Sequence, residues 1–279
     1  MRALITGGTG LLGRALVTRS MELGWSVTAT RLTQPAPDDA ATWRSLDARD
    51  RDAVFECVRA VRPDVVFHAA YVQQGPSLRA LTTDGSRFVA EAAREVGARL
   101  VHMSTDVVFD GDSHRPYTED DPLSPMHEYG RAKADAEALV REAHPDAVIV
   151  RTSLLYSLSR EDRQAKLALD LASGAHKGAL FTDEMRNPAM VDDVADALIE
   201  LAQTTYSGAL HIAGCDVVSR HELGAMLVRF HGGDASKLPG AKSADQSVKR
   251  PLRCALSCER AKRVLSALPR GVREVLRRT

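Results

Sequence analysis

The sequence predicts an α/β chain, a doubly wound parallel sheet with a smaller C-terminal lobe. Three observations predict it. Apolar runs of strand length alternate with helical patterns through the first half of the chain. A glycine-rich turn, Gly7-Gly8-Thr9-Gly10-Leu11-Leu12-Gly13, follows the first strand directly and opens the first helix. After Arg151 the alternation loosens, as a second and less regular lobe requires.

Taken in order, Leu4–Thr6 is the first strand, and Leu11–Leu23 is a helix with apolar positions at helical spacing. Ser26–Thr30 is the second strand. Ala53–Ala60 reads as a helix ending near Arg62-Pro63, where proline cannot continue it. Val65-Val66-Phe67 is a buried strand running on into His68-Ala69-Ala70. Thr83–Val96 is a helix closed by Gly97. Leu100–Met103 is a strand, Arg131–His144 a helix stopped by Pro145, and Ala147–Val150 the next strand. This alternation puts helices on both faces of a parallel sheet and ligands at the strands' carboxyl ends.

Beyond Arg151, Glu161–Ser173 is a helix. Val191–Gln203 is another, with Asp192 and Asp193 where the helix dipole favours acids. Ala209–Ile212 is a short strand. Residues 216–279 hold two or three more helices and a Gly/Ser/Lys loop around 232–247. The expected division is a dinucleotide-binding domain over 1–150, which also receives roughly 185–214. A smaller lobe of 151–184 and 215–279 covers the ligand edge.

Composition narrows the classes. Apolar residues are 44% of 279, enough for a sizeable core. The 37 acidic and 37 basic side chains cancel, which removes the general electrostatic footprint for nucleic acid. No apolar run is long enough for a membrane span, and the chain enters its first strand at once, so no signal peptide is expected. Cys57, Cys215, Cys254 and Cys258 fit neither a zinc site nor a disulfide framework. Buried, reduced thiols in a cytoplasmic protein are the expectation.

The turn carries the first chemistry. Gly8-x-Gly10-x-x-Gly13 fits the dinucleotide fingerprint of the Rossmann-type sheet, and Gly7-x-x-Gly10-x-x-Gly13 is laid over it. Glycine allows positive φ, and a missing Cβ lets backbone N–H groups approach a pyrophosphate. The last glycine lets the helix pack on the strand. The second strand ends Thr28-Ala29-Thr30-Arg31, without the acid that would bind a ribose 2′-hydroxyl. A guanidinium at Arg31 suits a 2′-phosphate, which favours NADPH over NADH; the other reading of Arg31 is a plain loop residue. Asp47 is either an acceptor for the adenine amine or an ordinary turn residue.

Tyr129-Gly130-Arg131-Ala132-Lys133 has the spacing that puts Tyr129 and Lys133 on one helix face, one turn apart. A phenol is a poor acid–base group at neutral pH, and a nearby ammonium draws its pKa down. Tyr129 could then protonate a carbonyl oxygen as hydride reaches the carbon. Ser104-Thr105-Asp106 reads first as a helix or turn cap. At a strand's end, a hydroxyl there can also polarise a substrate carbonyl.

Together these segments resemble the extended short-chain dehydrogenase/reductases, and within them the dTDP-4-dehydrorhamnose reductase-like, RmlD-type branch. The resemblance rests on residues 7–13, His68-Ala69-Ala70-Tyr71, Ser104-Thr105-Asp106 through Phe109-Asp110-Gly111, and Pro116-Tyr117-Thr118-Glu119-Asp120-Asp121. It also rests on Tyr129–Lys133, Arg151-Thr152-Ser153 and Arg250-Pro251-Leu252-Arg253. It implies that Thr105, Tyr129 and Lys133 are catalytic and that Lys133 also holds the nicotinamide ribose. It implies that Gly7, Gly10, Leu11, Leu12, Gly13, Ala69, Ala70 and Tyr71 line the cofactor cleft. Asp106, Val107, Arg151 and Ser153 would lie toward nicotinamide and substrate. Val107, Leu154-Leu155-Tyr156-Ser157, Thr82 and Pro188-Ala189 stand where the family commonly has other residues. The changed aromatics lie toward the substrate.

Among the remaining features, Arg186, Arg250 and Arg253 are candidates for a substrate diphosphate, because the guanidinium fork is bidentate, or else surface ion-pairing residues. Asp110, Asp112, Glu119, Asp120 and Asp121 read as a solvated acidic loop rather than a magnesium site. The basic stretch from Arg260 to Thr279 reads as a solvated amphipathic helix rather than a nucleic-acid arm. His68 is a packed structural histidine, and His102, His114 and His127 lack metal-site spacing, so no metal is assigned. The expected activity is NADPH-dependent reduction of a 4-keto-6-deoxy sugar carried on a nucleotide. The alternatives are a sugar-nucleotide epimerase, or a non-catalytic cofactor-binding subunit like the methionine adenosyltransferase β subunit. The expected partner is that small molecule, with a homodimer left open and neither nucleic acid nor membrane.

Overall fold

A computed structural model of the chain describes residues 1–37, 39–246 and 249–277, the side chain of residue 244 excepted. Six strands lead into the central sheet: β1 (Arg2–Thr6), β2 (Ser26–Arg31), β3 (Thr42–Ser45), β4 (Val65–His68), β5 (Arg99–Thr105) and β6 (Val148–Thr152). With the edge strand Gly208–His211 they make a seven-stranded sheet. Its order is edge strand, β6, β5, β4, β1, β2, β3, and every pairing is parallel. The order reverses between β1 and β4, so a crevice opens beyond their carboxyl ends.

Strand pleating divides the core between two helical layers. Ala3 and Ile5 of β1, Val65 and Phe67 of β4, and Val101 and Met103 of β5 face α1 (Leu11–Glu22). Leu4, Val66 and Leu100 face the other way, toward α2 (Arg51–Val61), α3 (Gly85–Glu95) and α4 (Glu128–Ala143). The first layer is completed by α6 (Val191–Ala202), which packs along α1, and by Ala261 and Leu265. Between α5 (Arg163–Ser173) and α7 (Arg220–Phe230) lies a separate apolar cluster of Ala168, Leu171, Ala225 and Val228.

Three differences from the sequence reading have physical causes. The strand β3 is unanticipated because its residues are mostly exposed and only Trp43 packs inward. Helix α4 begins at Glu128, before the expected Arg131, because His127 caps it. The basic tail is not one amphipathic helix: a single 3-10 turn at Ala261–Arg263 is followed by one α-helical turn, α8 (Val272–Val275). Pro269 and Gly271 interrupt any longer helix. Its arginines clamp acids of the same chain: Arg260 on Asp120, Arg270 on Asp193 and Arg273 on Glu222. Residues 247, 278 and 279 of the expected loop and tail lie outside the described residues.

Candidate functional site

The glycine turn joins β1 to α1. Gly7 has φ +69°, and a Cβ there would come within 2.8 Å of the Ala70 backbone nitrogen. At Gly13 a Cβ would meet the Gly7 carbonyl oxygen at 2.2 Å. At Gly10 the nearest atom is 3.3 Å away, so one side of the turn stays open. No side chain among the described residues caps α1, and its first turn holds no acid. The amides of Leu11, Leu12 and Gly13 therefore head an uncapped helix, a site suited to an anion.

Around the turn, Ala69 and Ala70 leave β4 beside Gly7. A buried chain of hydrogen bonds fixes them. Thr6 Oγ1 lies 2.7 Å from His68 Nδ1, and His68 Nε2 lies 3.1 Å from Ser86 Oγ. The Ala70 amide donates to Thr6 Oγ1 at 3.4 Å. His68 is the packed residue expected, and burial pushes its pKa down to about 3. At the tip of β2, Arg31 donates to the Gln34 carbonyl at 3.4 Å, and among the described residues most of its fork is unengaged. Asp47 is held instead by Arg49, at 2.6 Å, which holds its carboxyl below the usual range.

The second half of the site lies on α4. Lys133 is buried, and its Nζ donates to the Met103 carbonyl of β5 at 2.8 Å. Burial pushes its pKa down to about 8, against the pull of Glu137. The ammonium lies 5.3 Å from the ring centre of Tyr71, and the Tyr71 ring is 5.8 Å from that of Tyr129. Tyr71, Tyr129 and Lys133 thus meet directly beyond Ala70. The phenol's acidity departs from the sequence expectation. Burial first, then Tyr71 and Asp106, push the Tyr129 pKa well above its ordinary value. The Lys133 ammonium is aimed at the Met103 carbonyl, so it does not reverse this. Gly130 is the residue this corner depends on, because a Cβ there would lie 2.3 Å from the Val107 carbonyl oxygen.

At the end of β5, Thr105 caps the 3-10 turn Asp106–Val108, accepting from the Val107 amide at 3.4 Å. Its hydroxyl donates to Asp106 Oδ1 at 3.2 Å. Asp106 is buried, and Ser153 Oγ donates to its other oxygen at 2.6 Å. Arg186 Nε approaches the same oxygen at 3.6 Å. Burial raises the Asp106 pKa, opposed by Arg186 and these hydrogen bonds. Arg186 is itself buried and donates to the carbonyls of Met185, Leu252 and Pro251. Asp106, Ser153 and Arg186, expected to reach a substrate, are therefore committed to one another and to the backbone. Arg151 is likewise buried, paired with Glu137 at 2.7 Å. Arg250 differs: its half-exposed guanidinium lies 5.3 Å from the Phe181 ring centre and 3.7 Å from buried Glu184. Glu137, Glu184 and His127 carry no motif signal; contacts across the fold reveal the two glutamates, and the local cap of α4 reveals His127.

In the acidic loop Asp112 and Asp120 are exposed, as expected, while Asp110, Glu119 and Asp121 are held by the chain itself. Tyr117 and Ser124 donate to Asp110, Arg115 pairs with Asp121, and Glu119 accepts from the His211 amide. Among the described residues no group of His, Cys, Asp or Glu could hold a metal ion. Nor is any helix among them long and apolar enough to cross a membrane. Cys57 and Cys254 are buried as expected, whereas Cys215 is exposed, and all four thiols are free.

The family described as RmlD substrate binding domain matches residues 1–279. The chain is 32% identical over 249 residues to dTDP-4-dehydrorhamnose reductase of Mycobacterium tuberculosis, covering 87% of this chain and 80% of that protein. It is 28% identical over 275 residues to the methionine adenosyltransferase 2 subunit beta of Rattus norvegicus, covering 93% and 81%. The structure of dTDP-4-dehydrorhamnose reductase from Bacillus anthracis, in complex with NADP, superposes with a TM-score of 0.84 at 24% identity, over 99% and 95% of the chains. With its glycine turn, its Tyr129–Lys133 helix face and a family match along the whole sequence, the chain belongs to the RmlD substrate binding domain family, within the extended short-chain dehydrogenase/reductases.

Proposed function

We propose that the chain is an NADPH-dependent reductase acting on the keto group of a nucleotide-linked 4-keto-6-deoxy sugar. The observation that carries this reading is the meeting of Tyr129, Lys133 and Tyr71 directly beyond the glycine turn. A nicotinamide dinucleotide fits that end of the sheet. The uncapped α1 amides suit its pyrophosphate, and the Gly7–Ala70 approach leaves no room for a side chain in the cradle. Arg31, its fork largely unengaged among the described residues, suits a 2′-phosphate and favours NADPH. The NADP bound to the Bacillus relative and the substrate named for the Mycobacterium relative support both halves of the proposal.

When bound, the reduced nicotinamide supplies the hydride. The chain's residues manage the oxygen and its proton. Tyr129 keeps its proton at neutral pH, because burial raises its pKa, and donates it to the carbonyl oxygen as that oxygen gains charge. Thr105 turns its hydroxyl from the long bond to Asp106 toward the same oxygen. Lys133 holds positive charge beside the ring pair while the pH stays below about 8. The 106–108 turn, which Thr105 caps, is anchored through Asp106 by Ser153 and Arg186.

The test is incubation of the purified protein with dTDP-4-dehydrorhamnose and NADPH. One NADPH should be oxidised per sugar reduced. A new epimer with no net loss of NADPH would establish the epimerase alternative. Tight cofactor binding with no turnover of any keto sugar nucleotide would establish the non-catalytic one.

A further inference from the structure

We propose that His127 is a positioning residue for Tyr129: its imidazole caps α4 and stacks on the phenol ring, and its protonation withdraws the cap and sets the acid limit of turnover. This rests on the functional reading above.

Tyr129 is the second residue of α4, in the turn whose amides have no partner within the helix. His127 precedes that turn, and its Nδ1 accepts from the Gly130 amide at 3.1 Å. Its ring lies 6.3 Å from that of Tyr129 and within 15° of parallel. Tyr71 contacts the phenol as well, with ring centres 5.8 Å apart. Gly130 has little room on its inner side, where a Cβ would lie 2.3 Å from the Val107 carbonyl oxygen. The tyrosine is therefore fixed by the two rings beside it and by a cap that holds the turn on which it stands.

Histidine is outside the usual set of capping residues, and the difference has a consequence. Asn, Asp or Ser caps through an oxygen at neutral pH, whereas His127 caps through an unprotonated nitrogen. In the imidazolium both nitrogens are donors. Nδ1–H would then face the Gly130 N–H, and a positive charge would sit at the positive end of the helix dipole. The groups facing the ring are the Tyr129 phenol, Arg131 of α4, and Arg250 and Arg186 from beyond the cleft. Burial first, and then these guanidiniums, hold the His127 pKa below its ordinary value. Loss of the cap is thereby confined to the acid side of the ordinary imidazole range.

The experiment compares the full chain with His127→Asn and His127→Ala. In the wild type, kcat with NADPH and dTDP-4-dehydrorhamnose should fall on acidification with a one-proton profile, while NADPH affinity stays flat. His127→Asn restores an oxygen cap that does not titrate; it should keep kcat within about threefold at neutral pH and lose the acid fall. His127→Ala should hold kcat, at every pH, about fivefold below that of the wild type at neutral pH, without changing NADPH affinity. Amide hydrogen exchange at residues 128–131 provides a readout independent of activity. Protection should drop about fivefold in His127→Ala, return in His127→Asn, and fall on acidification only in the wild type. An acid fall retained in His127→Asn, or unchanged exchange in His127→Ala, would overturn the proposal. If the wild type reduces no keto sugar nucleotide, the functional reading fails, and the exchange data alone decide whether His127 holds Tyr129.

Discussion

Glu137 of α4 and Arg151 of β6 form a bidentate ion pair buried between helix and sheet, with Nη2 and Oε2 2.7 Å apart and side chains 1% and 3% exposed. Ser104 at the end of β5 donates to the same carboxylate at 2.5 Å. Glu137 lies one helical turn beyond Lys133, on the same face. The pair thus fixes the depth at which α4 sits on the sheet, and with it the position of Lys133 beside the Met103 carbonyl.

Glu137→Gln should therefore be costly. It leaves the Arg151 guanidinium buried without its counter-charge, a loss of about 3–5 kcal/mol. Urea unfolding of the variant measures it. A loss below about 1 kcal/mol would show that the pair does not anchor the helix.

Gly13 and Gly10 should respond differently to alanine. At Gly13 the new Cβ meets backbone at 2.2 Å, and backbone cannot step aside. Gly13→Ala should lose about 3 kcal/mol of stability and NADPH binding with it. Gly10→Ala meets its nearest atom at 3.3 Å, so stability should hold within about 1 kcal/mol while NADPH binding weakens. Thermal unfolding and calorimetric titration of both variants make the comparison.

Stability should fall as the pH drops below the ordinary imidazole range. Burial holds His68 and His211 down to about 3, and His102, stacked on His68 at 5.4 Å, is also depressed. The folded chain keeps these rings neutral while the unfolded chain protonates them below about 6.5. Each ring then contributes up to about 1.4 kcal/mol of lost stability per pH unit, from that point down toward its folded value. Urea titrations between pH 6.5 and 5, above the ordinary carboxylate range, follow this loss. A flat profile there would contradict their burial as neutral rings.

Arg31 should decide between the two nicotinamide cofactors. If its guanidinium pairs with a 2′-phosphate, Arg31→Ala should weaken NADPH binding about tenfold and leave NADH binding unchanged. Equal effects on both would show that Arg31 does not read the phosphate.

The fold was legible because helix and strand periods differ sharply and the glycine turn marks where the first unit closes. The turn alone could not choose between its two glycine spacings. Positive φ at Gly7 and the close approach at Gly13 select Gly7-x-x-Gly10-x-x-Gly13, while Gly8 faces Ala29 and Trp43. The start of α4 was missed because its cap is a histidine, which carries no capping signal in a sequence. The roles of Asp106, Arg151 and Arg186 were not legible for another reason. Whether such a residue faces a ligand or a buried partner depends on pairs formed across the fold, Arg186 with Asp106 and Arg151 with Glu137. The direction of the Tyr129 shift also needed the structure, because burial, then Tyr71 and Asp106, raise it, while the lysine one turn away donates to the Met103 carbonyl.

The central claim is that Tyr129 gives its proton to a carbonyl oxygen beside a bound nicotinamide. Its most direct test is single-turnover reduction of dTDP-4-dehydrorhamnose by Tyr129→Phe, with NADPH binding measured on the same sample. The rate should fall about a thousandfold with cofactor affinity unchanged. A variant that turns over at the wild-type rate would show that the phenol is not the acid.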